Sequence, residues 1–245
     1  MVIRFNIFTE LETKKNITFG SYNVKNFNLV KYKTISDLFE KCSFMLLQET
    51  WLKEKTFIDK FKNDFPNSEC ISASKMENKE IIAGRKFGGV GICYHTHIKC
   101  AVQTIPTKSK CICALKINLG KISIILINVY MPSSDKTEDL EEYSDILLEI
   151  SGICMLNTAD FIITGGDWNA DPIRNDGRTK LFKEFLKNEN LFNAHDLDIA
   201  DVPYTFVCSK KDSTSYSTLD HFLISPSLKS SVSEYRAEFF FTQWL

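Results

Sequence analysis

The sequence lacks any pair of cysteines in C-x-x-C spacing, although it contains 8 of them. That absence argues against a zinc ribbon or finger. Several of the cysteines, such as Cys93, Cys111 and Cys113, sit in apolar strand-like runs and read as buried thiols. Together they point to a reducing, intracellular setting, nucleus or cytoplasm. No apolar run approaches the roughly 20 residues of a membrane span. The N-terminus lacks a charged segment followed by an apolar core, so no signal peptide is expected. Neither sign of charge is in excess, with 30 basic and 31 acidic residues. That excludes a strongly basic coat for non-specific nucleic-acid binding but leaves room for a local groove, since acidic residues crowd between Asp135 and Glu149. There is no internal repeat and no low-complexity tract.

What is present is a chain of 245 residues with 44% hydrophobic content, enough for one α/β domain with a real core. Residues 1–16 read as an N-terminal leader, and 17–245 as the domain. Ile17 to Asn23 alternates as a strand, and Tyr32 to Cys42 carries a helical stripe. Phe44 to Glu49 is a nearly continuous apolar run, which marks a central strand. Glu54 to Phe65 is a second amphipathic helix, and Ser74 to Lys86 a polar loop. A glycine-rich strand covers Gly88 to Tyr94. Cys111–Ile117 and Ile122–Tyr130 form a hairpin about Asn118-Leu119-Gly120. A long helix is expected from about Lys136 to about Asn157, with Asp135 as N-cap and Glu138 completing a capping box. A short helix follows around Leu181 to Leu186. Strands follow at Tyr204–Cys208 and Leu219–Ser225, and the tail from Ser233 to Leu245 is β-like.

The stretch Ile162 to Asp171 carries most of the chemical signal. An apolar run breaks at Gly165-Gly166 and presents Asp167 and Asn169, two apart and so on one face of an extended chain. A carboxylate can orient or deprotonate a water, and an amide can hold a phosphate oxygen. The plain alternative is a strand ending in a turn. Other strands also end in polar residues, namely Asn23, Glu49, Tyr130 and Asp220, and ligand sites form at strand ends in α/β sheets. A set of carboxylates, amides and a phenol suits metal-assisted attack on a phosphoester, because a hard ion such as Mg²⁺ takes one or two carboxylates and otherwise waters and phosphate oxygens.

Five segments, in order, resemble the motifs of the endonuclease/exonuclease/phosphatase (DNase I-like) superfamily. They are Ser21-Tyr22-Asn23-Val24, Leu47-Gln48-Glu49-Thr50, Asn128-Val129-Tyr130-Met131-Pro132, Gly166-Asp167-Trp168-Asn169 and Ser217-Thr218-Leu219-Asp220-His221. The stretches Gln48 to Leu52 and Ile127 to Ser133 resemble the apurinic-type endonuclease domains of non-LTR (LINE-like) retrotransposons. The resemblance runs from about Ile17 to about Ser225. It implies a four-layer α/β sandwich, two mixed β-sheets flanked by helices, incomplete at its C-terminus. It also implies an Mg²⁺-dependent DNA endonuclease, with Mn²⁺ as a substitute. Glu49 would hold the metal, with Asn23 nearby. Asp167 would orient or deprotonate the water, Asn169 bind the scissile phosphate, and Tyr130 bind phosphate or assist the leaving oxygen. Asp220 would fix a catalytic histidine, and Thr205 would contact DNA. The expected partner is DNA rather than membrane, and the chain is expected as a monomer or as part of a reverse-transcriptase polyprotein.

The family's closing Ser-Asp-His motif has no counterpart after Asp220, so an exposed sheet edge and weak or absent activity are expected. His221, His195, His95 and His97 read as structural or surface groups; a metal pair at His95 and His97 is the alternative. Trp51 and Trp168 are expected to pack. Arg85, Lys86, Lys108, Lys110, Lys210 and Lys211 are loop cations within reach of phosphates. The competing functions are a non-catalytic remnant with residual nucleic-acid binding, and a phosphatase or phospholipase-type member of the same superfamily.

Overall fold

Phe44-Met45-Leu46-Leu47-Gln48 has no face to offer water, so it must be covered on both sides. The computed structural model, which describes residues 1–8, 14–76, 88–210 and 213–238, covers it twice. The N-terminal half contains β1 (Val2–Phe8), β2 (Lys14–Asn23), α1 (Leu29–Phe39), β3 (Phe44–Gln48), α2 (Glu54–Asp64), β4 (Ser68–Ala73), β5 (Val90–His95), β6 (Ala101–Ile105), β7 (Ile112–Leu119) and β8 (Ile122–Tyr130). The C-terminal half contains α3 (Thr137–Leu156), β9 (Phe161–Asp167), α4 (Gly177–Asn188), β10 (Phe192–Asn193), β11 (Ala200–Asp201), β12 (Phe206–Lys210), β13 (Ser213–Ser217), β14 (Asp220–Ile224) and β15 (Val232–Arg236). A seven-stranded sheet has the order β11-β15-β1-β2-β3-β5-β4, and a six-stranded sheet the order β10-β14-β9-β8-β7-β6. β12 and β13 form a separate antiparallel ribbon. Parallel pairs lie at β2–β3 and β8–β9, where a helix provides each crossover, and at the short β11–β15.

Strand periodicity feeds three cores at once. Leu46, Ile124 and Leu126 point between the sheets, where they meet Phe19, Phe44, Ile92, Leu115, Ile163 and Phe222. The alternate residues Met45 and Leu47 face α1 and α2 through Ile35, Leu38, Phe39, Phe57 and Phe61. Ile125, Ile127 and Val129 face α3 and α4 through Tyr143, Ile146, Ile150, Phe182 and Phe185. The result is helix, sheet, sheet, helix: the expected four layers.

A buried polar clamp crosses the layer between the sheets. Gln48 Nε2 donates to Asn128 Oδ1 at 2.7 Å, and Asn128 Nδ2 donates to the Leu47 and Gly91 carbonyls at 2.9 and 2.8 Å. Both side chains are fully buried, and an unpaired amide there would cost about 1–3 kcal/mol. The clamp therefore favours a single alignment of β3 against β8.

Two expectations change. The stretch read as a leader carries β1, whose alternating sequence Val2-Ile3-Arg4-Phe5-Asn6-Ile7-Phe8 pairs antiparallel with β2 on one side and β15 on the other. β2 is therefore an inner strand of its sheet. Asp135 does not cap α3: the N-cap is Lys136, without a side-chain bond, and the Asp135 carboxylate accepts instead from the Arg178 backbone N–H and Nε. Arg85, Lys86 and Lys211, most of the loop beyond Met76 and the tail beyond Glu238 lie outside the described residues. No helix among the described residues is long and apolar enough to cross a membrane.

Candidate active site

The two sheets deliver their polar strand ends to one place. Asn23 closes β2 opposite Gln48, and Glu49 follows directly. Asp167 closes β9 with Tyr130 as its neighbour on one side and Asp220 on the other. Glu49 and Asn169 both adopt positive φ, 51° and 49°. Asparagine tolerates that region, whereas for glutamate it costs roughly 1–2 kcal/mol. Neighbouring bonds hold the Glu49 turn: Asn26 N–H donates to the Glu49 carbonyl at 2.9 Å, and Trp51 N–H to the Gly88 carbonyl at 2.9 Å. Below Asp167, Gly166 has φ 137°, and a Cβ there would run into the Val129 carbonyl. The glycine break seen in the sequence is thus a close approach of β9 to β8.

Asn23 Nδ2 donates to Glu49 Oε1 and to Asp167 Oδ2, each at 2.8 Å. Trp51 Nε1 donates to the second Glu49 oxygen at 3.2 Å. The Asn169 backbone N–H donates to Asp167 Oδ1 at 3.0 Å, and its side-chain Nδ2 to the Met131 carbonyl at 2.8 Å. Asn23, Glu49, Asp167, Asn169, Thr205 and Asp220 line a single cleft of about 500 Å³, shared with Lys25, Lys31, Ser133, Tyr204, Phe206 and Glu238. Tyr130 lines a neighbouring hollow of about 170 Å³ with Lys75, Lys110 and Ser133. The Glu49 carboxylate is near enough to act on its hydroxyl.

Three carboxylates crowd this space. Burial first, and then the charges of Asp220 and Glu49, hold the Asp167 carboxyl well above the usual carboxylate range; the bonds from Asn23 and Asn169 oppose that. Burial also raises Asp220, against a hydrogen bond from Thr205 and the charges of the Met1 amino group and Lys25. Tyr130 is pushed up by burial and by Glu49, so it stays a donor. The donor set is all oxygen and suits a hard divalent cation. The Asn23 amide already bridges two of the carboxylates, where positive charge is wanted. Among the described residues no three His, Cys, Asp or Glu side chains close into a ligand cage. A site of one or two carboxylates completed by waters and phosphate oxygens needs none.

Thr205 and Asp220 share one wall of the cleft. Thr205 reaches the cleft, but its hydroxyl oxygen accepts from the Leu219 and Asp220 N–H groups at 2.9 and 3.0 Å, which fixes the turn before Asp220. Asp220 faces no histidine among the described residues that line the cleft. His221 is fully buried beneath it. Asn193 Nδ2 can only donate, so His221 Nδ1 accepts from it, at 3.2 Å. Nε2–H is left to donate to the Ala170 and Thr218 carbonyls at 2.9 and 3.1 Å. Burial lowers the His221 pKa to about 4, so the ring is neutral. His95 stacks on Phe39 with ring centroids 3.9 Å apart, and His97 lies in the turn beyond it. Trp168 is fully buried against Phe182 and Phe185. The sequence reading passed over Lys25, Lys31, Ser133 and Glu238, which share the cleft. Of these, Lys25, two residues beyond Asn23, and Ser133, directly after Pro132, carry a signal by their nearness to a motif.

A family model described as the endonuclease/exonuclease/phosphatase family matches residues 20–238. No curated protein matches the chain in sequence. Among solved structures, the chain is similar to the endonuclease domain of TRAS1, a telomere-specific non-LTR retrotransposon, with 16% identity over 84% of each chain and a TM-score of 0.60. It is also similar to the AP endonuclease LMAP from Leishmania major, with 15% identity over 86% of this chain and 80% of that one and a TM-score of 0.64. A mannosyl-6-phosphatase from Bacteroides thetaiotaomicron matches with 16% identity over 86% of each chain and a TM-score of 0.60. At such identities the likeness is one of fold, and it spans enzymes with unlike substrates.

Proposed function

The chain belongs to the endonuclease/exonuclease/phosphatase family, and from that premise we propose that it is a divalent-metal-dependent phosphodiester hydrolase acting on DNA, of the kind used by non-LTR retrotransposons. The observation that carries this reading is the Asn23 bridge between Glu49 and Asp167, in a cleft that also holds Asn169 and Asp220. The likeness to the TRAS1 endonuclease domain supports the retrotransposon branch.

Glu49 and Asn23 would hold the ion, Mg²⁺ or Mn²⁺, which when bound polarises a phosphate oxygen and offsets developing negative charge. Asp167, kept proton-hungry by burial and neighbouring charge, takes the proton of the attacking water. The new bond joins water oxygen to phosphorus, the bond to the leaving sugar oxygen breaks, and that oxygen collects a proton from water. Asn169 fixes a non-bridging oxygen, and Tyr130, held protonated, donates from the flank. Thr205 and Asp220 shape the opposite wall.

One observation favours a second reading, nucleic-acid binding without turnover: no histidine is among the described residues lining the cleft. Incubation with supercoiled plasmid in Mg²⁺ separates the two. Nicking that vanishes on Asp167→Ala supports the hydrolase. Duplex binding without nicking supports the second reading, and the absence of both overturns both.

A further inference from the structure

We propose that Lys25 is the catalytic cation of this cleft, with its ammonium group meeting the scissile phosphate where negative charge builds. The proposal rests on the phosphodiester reading above and adds the group that neutralises the transition state.

The placement of Lys25 is specific. It has φ 44° and is followed by Asn26 with φ 91°, so two successive non-glycine residues sit at positive φ, which costs roughly 1–2 kcal/mol at the lysine and less at the asparagine. Bonds from the site hold them there. Asn23 Oδ1 accepts the Lys25 backbone N–H at 3.2 Å, and the Glu49 carbonyl accepts from Asn26 at 2.9 Å. One Asn23 side chain therefore bridges the two carboxylates through its nitrogen and fixes the Lys25 turn through its oxygen. Strain maintained in this way clusters at functional positions.

The ammonium itself is exposed and stands 4.9 Å above the Phe206 ring, at the base of the β12–β13 ribbon. Among the described residues no carboxylate lies within 4.0 Å of it, so its charge is not spent on an ion pair. Of the other charged groups of the cleft, Lys31 stands on α1, and two more are committed. Glu238 is paired with Lys41 and Arg236, and the Met1 amino group donates to the Ser21 carbonyl. The field of Lys25 already reaches the cleft, since it lowers the Asp220 carboxyl. A cation kept dry on one side by an aromatic face and open on the other is prepared to meet an anion. An ammonium can stabilise phosphate charge as a point charge, without the geometry an Arg fork demands.

The test compares wild type, Lys25→Met, Lys25→Gly, Lys25→Arg and the exposed-surface control Lys33→Met. The probes are supercoiled plasmid and bis(4-nitrophenyl) phosphate in Mg²⁺. Lys25→Met keeps the apolar stem over Phe206, and Lys25→Gly suits the left-handed backbone, so at least one charge-free variant stays folded. Removal of a single oxyanion donor costs about 10²- to 10³-fold in rate. The expected result is a loss of that order in kcat for Met and Gly at unchanged melting temperature, with most of it restored by Arg. The salt dependence of duplex binding should fall by about one phosphate contact, and Lys33→Met should match wild type. A wild type that turns over both probes, with Lys25→Met and Lys25→Gly indistinguishable from it, overturns the role of Lys25 alone. A wild type inert on both probes overturns the phosphodiester reading and the role of Lys25 with it.

Discussion

Replacing Asp167 with asparagine should make the ion-free protein more stable while abolishing its chemistry. The Asp167 carboxyl is raised by burial and by the charges of Asp220 and Glu49. Between the unfolded value of 3.8 and the folded one, the folded chain holds a proton that the unfolded chain has released. Stability therefore falls as pH rises through that window, and the full penalty applies above it. Each unit of the shift amounts to about 1.4 kcal/mol. Asparagine removes this penalty but forfeits one bond. It keeps the acceptor for Asn169 N–H, but its NH₂ meets the Asn23 Nδ2 donor, at about 1 kcal/mol. A shift beyond one unit thus leaves a net gain at neutral pH. For a domain of this size 1 kcal/mol is about 2–4 °C. In EDTA at pH 8, Asp167→Asn should melt at least about 2 °C above wild type, and near pH 4 the order should reverse. The difference between the two proteins cancels the titrating groups away from the cleft, while Asp220 and Glu49, relieved of the Asp167 charge, add to the gain of the variant. Excess Mg²⁺ should raise wild type by mass action and the variant by less. An offset that does not change with pH, or a variant less stable throughout, would refute the reasoning.

Glu49→Gln should weaken Mg²⁺ binding more than Asn169→Ala does, because only the first removes charge from the ion's ligands; calorimetric titration checks this, and equal loss would refute separate roles. Gly166→Ala should destabilise the fold by at least about 3 kcal/mol in urea, since both its φ of 137° and the Val129 carbonyl exclude a side chain; a loss under 1 kcal/mol would mean that β9 can move off β8. His221, with its pKa lowered to about 4 by burial, stays neutral while the unfolded chain gains a proton near 6.5, so it loses about 3 kcal/mol of stability as pH falls between those values. His221→Phe should flatten that acid limb, yet be less stable at pH 8 by about 1–3 kcal/mol for the carbonyls of Ala170 and Thr218 left without a donor.

The central strands and helices were legible because their patterns are long and strong. Phe44 to Gln48, Ile122 to Tyr130 and Phe161 to Asp167 are apolar runs that only an interior accommodates. β4 and β6 escaped notice because each lies at the end of its sheet. β6 is mostly exposed, and an edge strand needs little apolar pattern. β1 reads as a leader although its sequence alternates and its near partner β2 follows directly; only its second partner, β15, lies more than two hundred residues away, where no local signal reports the pairing. The strand-end residues could be read in the sequence one by one, but not the Asn23 bridge that joins two of them, which requires both sheets to be in place. Lys25 stands near the Asn23 motif in the sequence, but its placement needs the left-handed backbone to be seen. A lysine in a turn is ordinarily just solvated.

The Gln48–Asn128 clamp has a bearing on how such a protein can change. A slip of one residue between the layers would move Glu49 by about 3.3 Å relative to Asp167 and strand two interior amides. The reacting groups are thus indexed to the scaffold and not to the surface loops around them. The β12–β13 ribbon and the turns beside the cleft can be exchanged or lengthened without disturbing the spacing of the carboxylates. Selection for a different substrate can proceed at the rim while the chemistry beneath keeps its alignment.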